Sequence, residues 1–427
     1  MKKLLGKRFL AVAIAFVMIA ALAVPAIANG LDGGAAKANR SVTVKQIDAA
    51  AKLGRINKAE LPAEEAKHSD SDIVRVSIVL PGKSLLDAGY SVKGMASDTS
   101  AISYRNSLKQ LQDKLADKIS KTVLGGEELD VQWNITLAAN IISANVPYGK
   151  IEAIKNILGV ADVVLETEYQ PEETEESEAD HPDMATSVQM TKGVLAWAAG
   201  YTGAGSKIAI VDTGLDVEHI SFDAEAFEYA LKELNDERAE EGKAPIVIMT
   251  EDDVFDVWDD LNIAQYVTGP EGVYINSKVP FAVNYVDRDL QVTHENDRQG
   301  EHGSHVAGIA AANRYIKDGD EFVEALSTVE VQGEAPDAQL MVMKVFGKGG
   351  GAYDSDYMVA IEDAIMMGAD AVNLSLGSAA PGQTINTTYA KILNEISESD
   401  TVVTMSAGNN FAWQTYGLGN LYEDDIN

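Results

Sequence analysis

The chain has no cysteine among its 427 residues. Disulfides therefore cannot stabilise it, and ordinary hydrophobic cores must do so. Basic residues are scarce as well, because 34 Lys and Arg stand against 66 Asp and Glu, which gives a formal net charge of −32. A chain of this charge repels nucleic acid, and no basic binding stripe is present, so we expect no nucleic-acid partner. Excess surface acid usually serves solubility, and cation binding is its less common use.

An uninterrupted apolar run occurs at the start of the chain. Residues 1–28 open with four basic side chains, continue with the apolar residues 9–24 and end in Ala26-Ile27-Ala28. This pattern predicts a secretory signal peptide over 1–28. The alternative is a retained membrane anchor, but the run is short for a span and the small-residue ending suits cleavage after Ala28. We therefore expect a secreted or cell-envelope-associated protein with no stable membrane span after signal cleavage.

The composition then divides the chain into further segments. Residues 29–70 are rich in Ala, Lys and Glu without a sustained apolar period, which predicts a flexible arm. Residues 71–170 carry apolar patterns in the order βαββαβ, which is typical of an α+β ferredoxin-like domain. The predicted strands are 73–80, 129–135, 138–146 and 159–165, and the predicted helices are 102–124 and 151–157. Residues 171–183 are mostly Glu and Asp, which predicts an exposed acidic linker.

From 184 to 427, short and fully apolar strands alternate with helices. The predicted strands are 208–211, 340–345, 371–374 and 401–405, and the main predicted helices are 302–313 and 354–367. This alternation predicts an α/β domain with a parallel sheet covered on both faces. Ligand sites in such sheets lie outside the carboxyl ends of the strands. Asp212, Ser375 and Asn409 each follow or end one of these runs.

Asp212 and His302 are the strongest candidates for chemistry. Asp212 ends the buried run Ile208-Ala209-Ile210-Val211 and begins Asp-Thr-Gly, a triplet that also occurs as a plain turn and in aspartic proteases. His302 begins a segment rich in Gly and Ala, which predicts a slim helix packed against the sheet. A histidine in its first turn can bond a buried carboxylate through one ring nitrogen and leave the other for a nucleophile. Zinc binding by His302 and His305 is disfavoured, since they lack the Glu and the spacing of a His-Glu-x-x-His site.

Three weaker candidates lie at other predicted strand ends and turns. Asn409 could donate its amide to a developing oxyanion, although a helix cap or an Asx turn is the commoner use of a lone Asn. Ser375-Leu376-Gly377 leaves its backbone accessible to an extended peptide, or is simply a strand leaving the core through a Gly turn. Gly349-Gly350-Gly351 is a flexible turn first and a substrate edge second.

In combination, these motifs resemble those of the subtilisin-type serine proteases, from about residue 184 onward. They occur in the order of that family: Asp212-Thr213-Gly214, His302-Gly303-Ser304-His305-Val306-Ala307-Gly308, Ala335-Pro336, Lys344-Val345, Asn373-Leu374-Ser375-Leu376-Gly377 and Ser406-Ala407-Gly408-Asn409. Residues 73–169 are similar in layout to the inhibitory propeptide of the family. Tyr274-Ile275-Asn276-Ser277-Lys278-Val279-Pro280, Ala360-Ile361-Glu362-Asp363-Ala364 and a long insertion after Asp216 resemble the cell-envelope proteinase, or lactocepin, branch.

The resemblance implies an exported endopeptidase precursor that acts on protein or peptide substrates and carries its own propeptide in cis. Asp212 would orient His302, His302 would act as general base, and Asn409 would help to hold the oxyanion. Ser375, Leu376 and Gly377 would form one wall of the specificity pocket, and Gly349, Gly350 and Gly351 the opposite substrate edge. No cofactor is required by this chemistry. Calcium is common in the family and suits the acidic insertions, but no metal ligand can be assigned by position.

One element of the family pattern is missing, because no Gly-Thr-Ser nucleophile turn occurs before Asn427. The lactocepin branch inserts a further domain before the serine, so the resemblance places the nucleophile beyond the given chain, which alone should be inactive. Two alternatives follow. The protein could be a catalytically inactive pseudoprotease that binds peptides, or its working part could be residues 73–169, acting as a protease inhibitor or folding chaperone. The gene sequence downstream of codon 427 discriminates between them.

Overall fold

The computed structural model describes residues 68–91, 97–171, 184–293, 297, 299–377, 389, 392, 393, 396 and 401–406. The predicted signal peptide, the arm up to residue 67, the acidic residues 172–183 and Asn409 lie outside this part of the chain. Within it, no helix is both long and apolar enough to cross a membrane.

The N-terminal unit, residues 68–165, is a four-stranded antiparallel sheet with two helices. Its elements are β1 (Ile73–Val79), α1 (Thr99–Thr122), β2 (Asp130–Ile135), β3 (Ile141–Pro147), α2 (Ile151–Lys155) and β4 (Asp162–Leu165). The strands lie in the order β2-β3-β1-β4, and every neighbouring pair is antiparallel. The order of elements along the chain is the predicted βαββαβ.

Helix α1 shows how the sequence builds this unit. Asp98 caps its start by accepting hydrogen bonds from the backbone N–H groups of Ser100 and Ala101. Leu115 and Ile119 are four residues apart and share one face, so both bury themselves against the sheet with Ile78 and Ile142. The helix therefore holds the sheet on one side and leaves the opposite side of the sheet for a partner.

The parallel-sheet unit, residues 184–406, contains most of the remaining elements. They are α3 (Met184–Thr191), α4 (Gly193–Ala198), β6 (Lys207–Asp212), α5 (Ala224–Glu240), α6 (Glu251–Val257), β7 (Phe281–Asn284), α7 (His302–Ala311), β8 (Tyr315–Asp318), β9 (Glu321–Glu324), α8 (Ala325–Thr328), β10 (Gln339–Lys344), β11 (Ala352–Tyr353), α9 (Asp354–Met366), β12 (Ala371–Leu374), β13 (Leu376–Gly377) and β14 (Val402–Met405). Five strands form a parallel sheet in the order β14-β12-β6-β10-β7.

Alternate residues of the central strands bury themselves against helices on opposite faces. Val211 of β6 belongs to the same apolar core as Ile361 of α9. Ile210, its neighbour, belongs to a second core with Ala307 and Ala311 of α7. Both faces are thus covered, which is why β6 and β10 are continuous apolar runs rather than alternating ones.

The two units share a buried interface built around α9. All 13 residues of α9 are buried, including four acidic side chains. One of these, Glu362, accepts backbone hydrogen bonds from Thr136, Leu137 and Ala138 through Oε1, at 3.2, 2.6 and 3.1 Å. The indole of Trp133 donates to Asp356 at 2.7 Å. The free side of the N-terminal sheet therefore packs on a helix whose carboxylates satisfy its unpaired donors.

The segment that follows the N-terminal sheet forms a strand of its own. This strand, β5 (Glu168–Pro171), lies between β11 and β13 and pairs with both in the antiparallel sense. In register, Tyr169 faces Ala352, and Pro171 faces Leu376. The chain thus adds its own extended strand to two edges of the parallel-sheet unit.

Candidate active site

Asp212 and His302 meet at the carboxyl end of β6. The Nδ1 atom of His302 lies 2.7 Å from Oδ1 of Asp212, and both side chains are buried. The same Oδ1 accepts the backbone N–H of Thr213 at 2.7 Å. With Nδ1–H donating to the carboxylate, Nε2 is the ring nitrogen that can accept a proton. This is the arrangement expected of an orienting acid and a general base.

Two glycines bring the start of α7 against the Asp212 loop. Gly214 adopts φ +118°, a backbone conformation that favours glycine. An added Cβ at Gly303 would lie 2.1 Å from the carbonyl oxygen of Gly214, so only glycine fits there. The backbone N–H of Gly303 also donates to Thr213 Oγ1 at 2.9 Å. The helix that carries His302 is therefore fixed directly on the loop that carries Asp212.

A buried lysine supports the same loop from the neighbouring strand. Lys344 ends β10, is fully buried, and its ammonium group contacts the carbonyl oxygen of Thr213. Its charge is paired with Asp297 Oδ2 at 2.8 Å. A buried ammonium group without such partners would be costly, so the pair and the carbonyl together set the position of this lysine. In the sequence, Lys344 stands out only as part of the motif Lys344-Val345, and Asp297, which lies in no regular element, has no signal that marks it.

Ser375 lies beside Asp212 in the sheet register. Leu374 at the end of β12 pairs with Val211, so Ser375 and Asp212 follow at the same level of neighbouring strands. Leu376 and Gly377 form β13 and pair with β5. Ser406 follows β14, and its backbone N–H donates to Leu374 at 3.0 Å.

The glycine run lies next to the second pairing edge without forming it. Gly347 and Gly350 make an isolated bridge in a turn, and the pairing with β5 is made by Ala352 and Tyr353, immediately after Gly351. The structure thus brings Asp212, His302 and Ser375 to one sheet edge. β5 lies between Leu376 and Gly377 on one side and the strand after Gly349–Gly351 on the other. Asn409 lies outside the described residues.

Acidic groups lie partly or fully buried where β5 leaves the N-terminal sheet. Glu166 accepts hydrogen bonds from the hydroxyls of Ser77 and Ser355, at 2.8 and 2.7 Å. Burial raises the pKa of Glu166 to about 7, against the opposing effect of the Arg75 guanidinium. Burial likewise raises the pKa of Glu362. Neither residue was anticipated as functional, because acidic residues in a sequence usually indicate a solvated face.

In the part of the chain that the structure describes, no group of three or more His, Asp or Glu side chains is placed to hold a metal ion. His305, the second histidine of the motif, is exposed, whereas His302 is buried. The two histidines of the motif therefore lie in different environments.

Known proteins with related sequences are proteases. The chain is 32% identical over 275 residues to the PI-type proteinase of Lactococcus lactis subsp. cremoris. The aligned stretch covers 63% of this chain and 12% of that protein. The chain is 26% identical over 379 residues to the minor extracellular protease Vpr of Bacillus subtilis, 86% of this chain and 36% of that protein. The C5a peptidase of Streptococcus pyogenes is 30% identical over 183 residues, 42% of this chain and 12% of that protein. The chain thus spans only a minor part of each relative, and the first match supports the predicted lactocepin-like branch.

Among solved structures, a match is the epidermin leader peptide processing serine protease EpiP of Staphylococcus aureus, with a TM-score of 0.42 and 18% identity, covering 79% of this chain and 61% of that one. The sequence model of the Subtilase family matches residues 203–423, which is more than half of the chain and contains Asp212 and His302. By this match and by its order of motifs, the chain belongs to the subtilase family of subtilisin-like serine peptidases.

Proposed function

We propose that the protein is the precursor of an exported serine endopeptidase that hydrolyses peptide bonds in proteins. The observation that carries this function is the 2.7 Å contact between His302 Nδ1 and Asp212 Oδ1 at the end of a buried parallel strand. Asp212 holds the imidazole in the tautomer whose Nε2 can take a proton from a serine hydroxyl, and it stabilises the imidazolium that forms. The serine that completes this triad follows Asn427 in the full-length protein.

The oxyanion of the tetrahedral intermediate needs hydrogen-bond donors that are in place before the reaction. We assign one of these to the amide of Asn409. The assignment is supported by the position of Ser406, which leaves β14 next to the end of β12 and three residues before Asn409. The chemistry needs no cofactor, because base, orienting group and donors all come from the protein.

Residues 71–170 act as a ferredoxin-like inhibitory propeptide in cis. Two features support this role: the strand order β2-β3-β1-β4 with two helices, and β5, which pairs with β11 and β13 as an extended substrate would. Ser375, Leu376 and Gly377 then form one wall of the substrate channel, and the strand after Gly349, Gly350 and Gly351 forms the other. Export to the cell surface or medium follows from the signal peptide predicted over 1–28.

The main rival is a peptide-binding pseudoprotease, since the pairing of β5 by itself shows only that an extended strand fits. Labelling with a fluorophosphonate probe and casein hydrolysis by the product of the complete gene distinguish the two functions. We expect stoichiometric labelling of one serine C-terminal to Asn427, and loss of labelling in His302→Ala. A stop codon directly after codon 427, or a folded full-length product that neither reacts with the probe nor hydrolyses casein, would favour the rival.

A further inference from the structure

Tyr169 anchors β5 in the parallel-sheet unit. Its side chain is buried, and its ring meets the ring of Tyr357 edge-on, with centroids 5.5 Å apart and planes at 84°. Its hydroxyl lies 3.0 Å from Oδ1 of Asp354 and donates to it. The backbone of Tyr169 faces Ala352 in β11, so strand pairing fixes where this side chain enters the parallel-sheet unit.

Asp354 is a buried carboxylate that depends on residues 167–171, β5 and the residue before it, for most of its partners. It is completely buried at the first residue of α9. Its Oδ1 accepts from Tyr169 and, also at 3.0 Å, from the hydroxyl of Tyr357, and its Oδ2 accepts the backbone N–H of Thr167 at 2.7 Å. Two of these three donors come from the segment 167–171. A carboxylate that loses donors in a buried site keeps its desolvation cost, so the site favours an occupant that restores them.

If the segment 167–171 leaves, Asp354 loses the backbone N–H of Thr167 and the hydroxyl of Tyr169. A peptide that takes the place of this segment can replace the two donors to different degrees. Any extended peptide supplies the backbone N–H that Thr167 supplies here. The hydroxyl at the end of an aromatic ring comes only from tyrosine among the common side chains, and burial raises the pKa of the Tyr169 phenol, so it stays a donor. Phenylalanine would fill the same space against Tyr357 but leave one Asp354 oxygen with a single donor.

We propose that Asp354 is a specificity-determining residue that selects a tyrosine at the substrate position facing Ala352. The selection concerns substrates of the proposed protease and therefore rests on that function. In β5, Tyr169 faces Ala352 and Pro171, two residues later, faces Leu376. The selected tyrosine of a substrate therefore lies two residues before the substrate residue that faces Leu376. Selectivity arises because a site built to bond a hydroxyl penalises the analogue that lacks it.

The test compares peptides made from the chain's own sequence 167–175, with Tyr, Phe or Leu at the position of Tyr169. With the mature enzyme from the complete gene, we expect kcat/KM for the Tyr peptide to exceed that for the Phe peptide about 10- to 100-fold, the range for a hydrogen bond to a charged group. Asp354→Leu should bring this ratio close to one. Asp356→Asn is the matched control, because it alters another buried acid of the same helix turn, bonded to Trp133, and should leave the ratio unchanged. Equal cleavage of the Tyr and Phe peptides by the unaltered enzyme overturns the proposal.

A second measurement needs no activity and separates this proposal from the proposed function. In the 427-residue chain, Tyr169→Phe should accelerate amide hydrogen exchange in residues 168–170 about tenfold, and the same change in an Asp354→Leu background should add little. Tyr148→Phe removes a hydroxyl from the N-terminal unit and should leave this exchange unaltered. If Tyr169→Phe has the same effect in both backgrounds, the hydroxyl does not act through Asp354 and the proposal is wrong. Cleavage of none of the peptides would instead count against the protease function alone.

Discussion

The carbonyl oxygen of Gly214 lies only 2.1 Å from the position that a Cβ on Gly303 would occupy, which is too close for the two atoms to coexist. Gly214 belongs to the loop after Asp212, and Gly303 is the residue after His302. The contact between the two buried side chains therefore depends on a backbone contact that admits no side chain at all.

We expect Gly303→Ala to move the start of α7 away from the Asp212 loop. The strain should lower the free energy of unfolding by about 1–3 kcal/mol, the usual cost of overfilling a packed site. It should also reduce turnover more than this loss of stability explains. Gly308→Ala is the matched control on the same helix, because an added Cβ there meets nothing within 4 Å and should stabilise the helix by about 0.5–1 kcal/mol. Equal effects of the two substitutions on urea unfolding and peptide hydrolysis would contradict this account.

Asp212→Asn should disable the base while leaving the packing almost intact. Asparagine fills the same space, but its amide favours the wrong tautomer of His302, an effect of about 10⁴-fold on kcat in proteases with this triad. Asp216→Asn alters a carboxylate of the same loop that caps only the backbone of Glu218, and should change kcat little. Thermal melting of both variants provides the check. A lower melting temperature with a proportionate loss of activity would make Asp212 a structural residue.

Glu362→Ala should loosen the interface between the two units. Three backbone N–H groups of residues 136–138 would lose their shared acceptor in a buried site, at a cost of about 2 kcal/mol or more. Hydrogen exchange at Thr136, Leu137 and Ala138 measures this directly and should accelerate by at least about 30-fold. Glu321→Ala, at an exposed position in β9, should leave the exchange of these amides unchanged.

The docking of the N-terminal unit should weaken as the pH rises from about 4.5 to about 7. Burial raises the pKa of Glu166 to about 7, so the docked state binds a proton that the free carboxyl, with its ordinary pKa of 4.5, releases. The stabilisation is complete below 4.5, is lost through this window and stays lost above it. Around Glu166, Arg75 opposes the shift, whereas Asp356 reinforces it. The Ser77 and Ser355 hydroxyls bond the carboxyl.

Urea unfolding of the chain at a series of pH values tests this dependence. Burial also raises the pKa values of Glu362, Asp363 and Asp354, so these groups add to the loss of stability with rising pH. Glu166→Gln should remove the part of the slope nearest to pH 7. A stability that increases between pH 5 and pH 7 would show that these carboxyls are ionised when docked.

On the proposed function, the bond whose cleavage removes the N-terminal unit should lie C-terminal to residue 172. Pro171 faces Leu376, the second residue after the end of β12, and Ser375 lies level with Asp212. The peptide therefore runs from β11 towards the edge that carries the catalytic pair. N-terminal sequencing of the secreted enzyme should find a start within 173–184. A start before residue 168 would mean that the chain is cut N-terminal to β5, and that β5 does not lie in the channel as a substrate would.

The strands of the parallel sheet could be predicted because both of its faces are covered. β6, β10 and β12 are short apolar runs, and their predicted ends agree with the structure to one residue. β7 (Phe281–Asn284) was not predicted. It lies in the stretch between Val257 and His302, where the described residues form no α-helix to mark the alternation of strand and helix that is typical of a parallel sheet.

β5 could not be predicted, because its conformation comes from its partners. Glu168-Tyr169-Gln170-Pro171 has no alternating apolar pattern and ends in proline, a residue that is unfavourable inside strands. The burial of the acidic residues in α9 could not be predicted either. Acidic residues in a helix normally indicate a solvated face. All four are nevertheless buried, and each accepts hydrogen bonds from groups of other segments: Asp354, Asp356, Glu362 and Asp363. The pairing of Asp212 with His302, by contrast, followed from the motifs themselves.

The position of β5 also affects how the newly made chain behaves towards its own copies. β11 and β13 are strand edges, and unpaired edges are templates on which another chain can add a strand and begin to aggregate. In this chain both edges are already occupied by Glu168–Pro171. The same four residues that pair with the two edges therefore also keep them from adding a strand of another copy. On the proposed function, cleavage after this strand would expose both edges, so maturation and resistance to aggregation would depend on the same short segment.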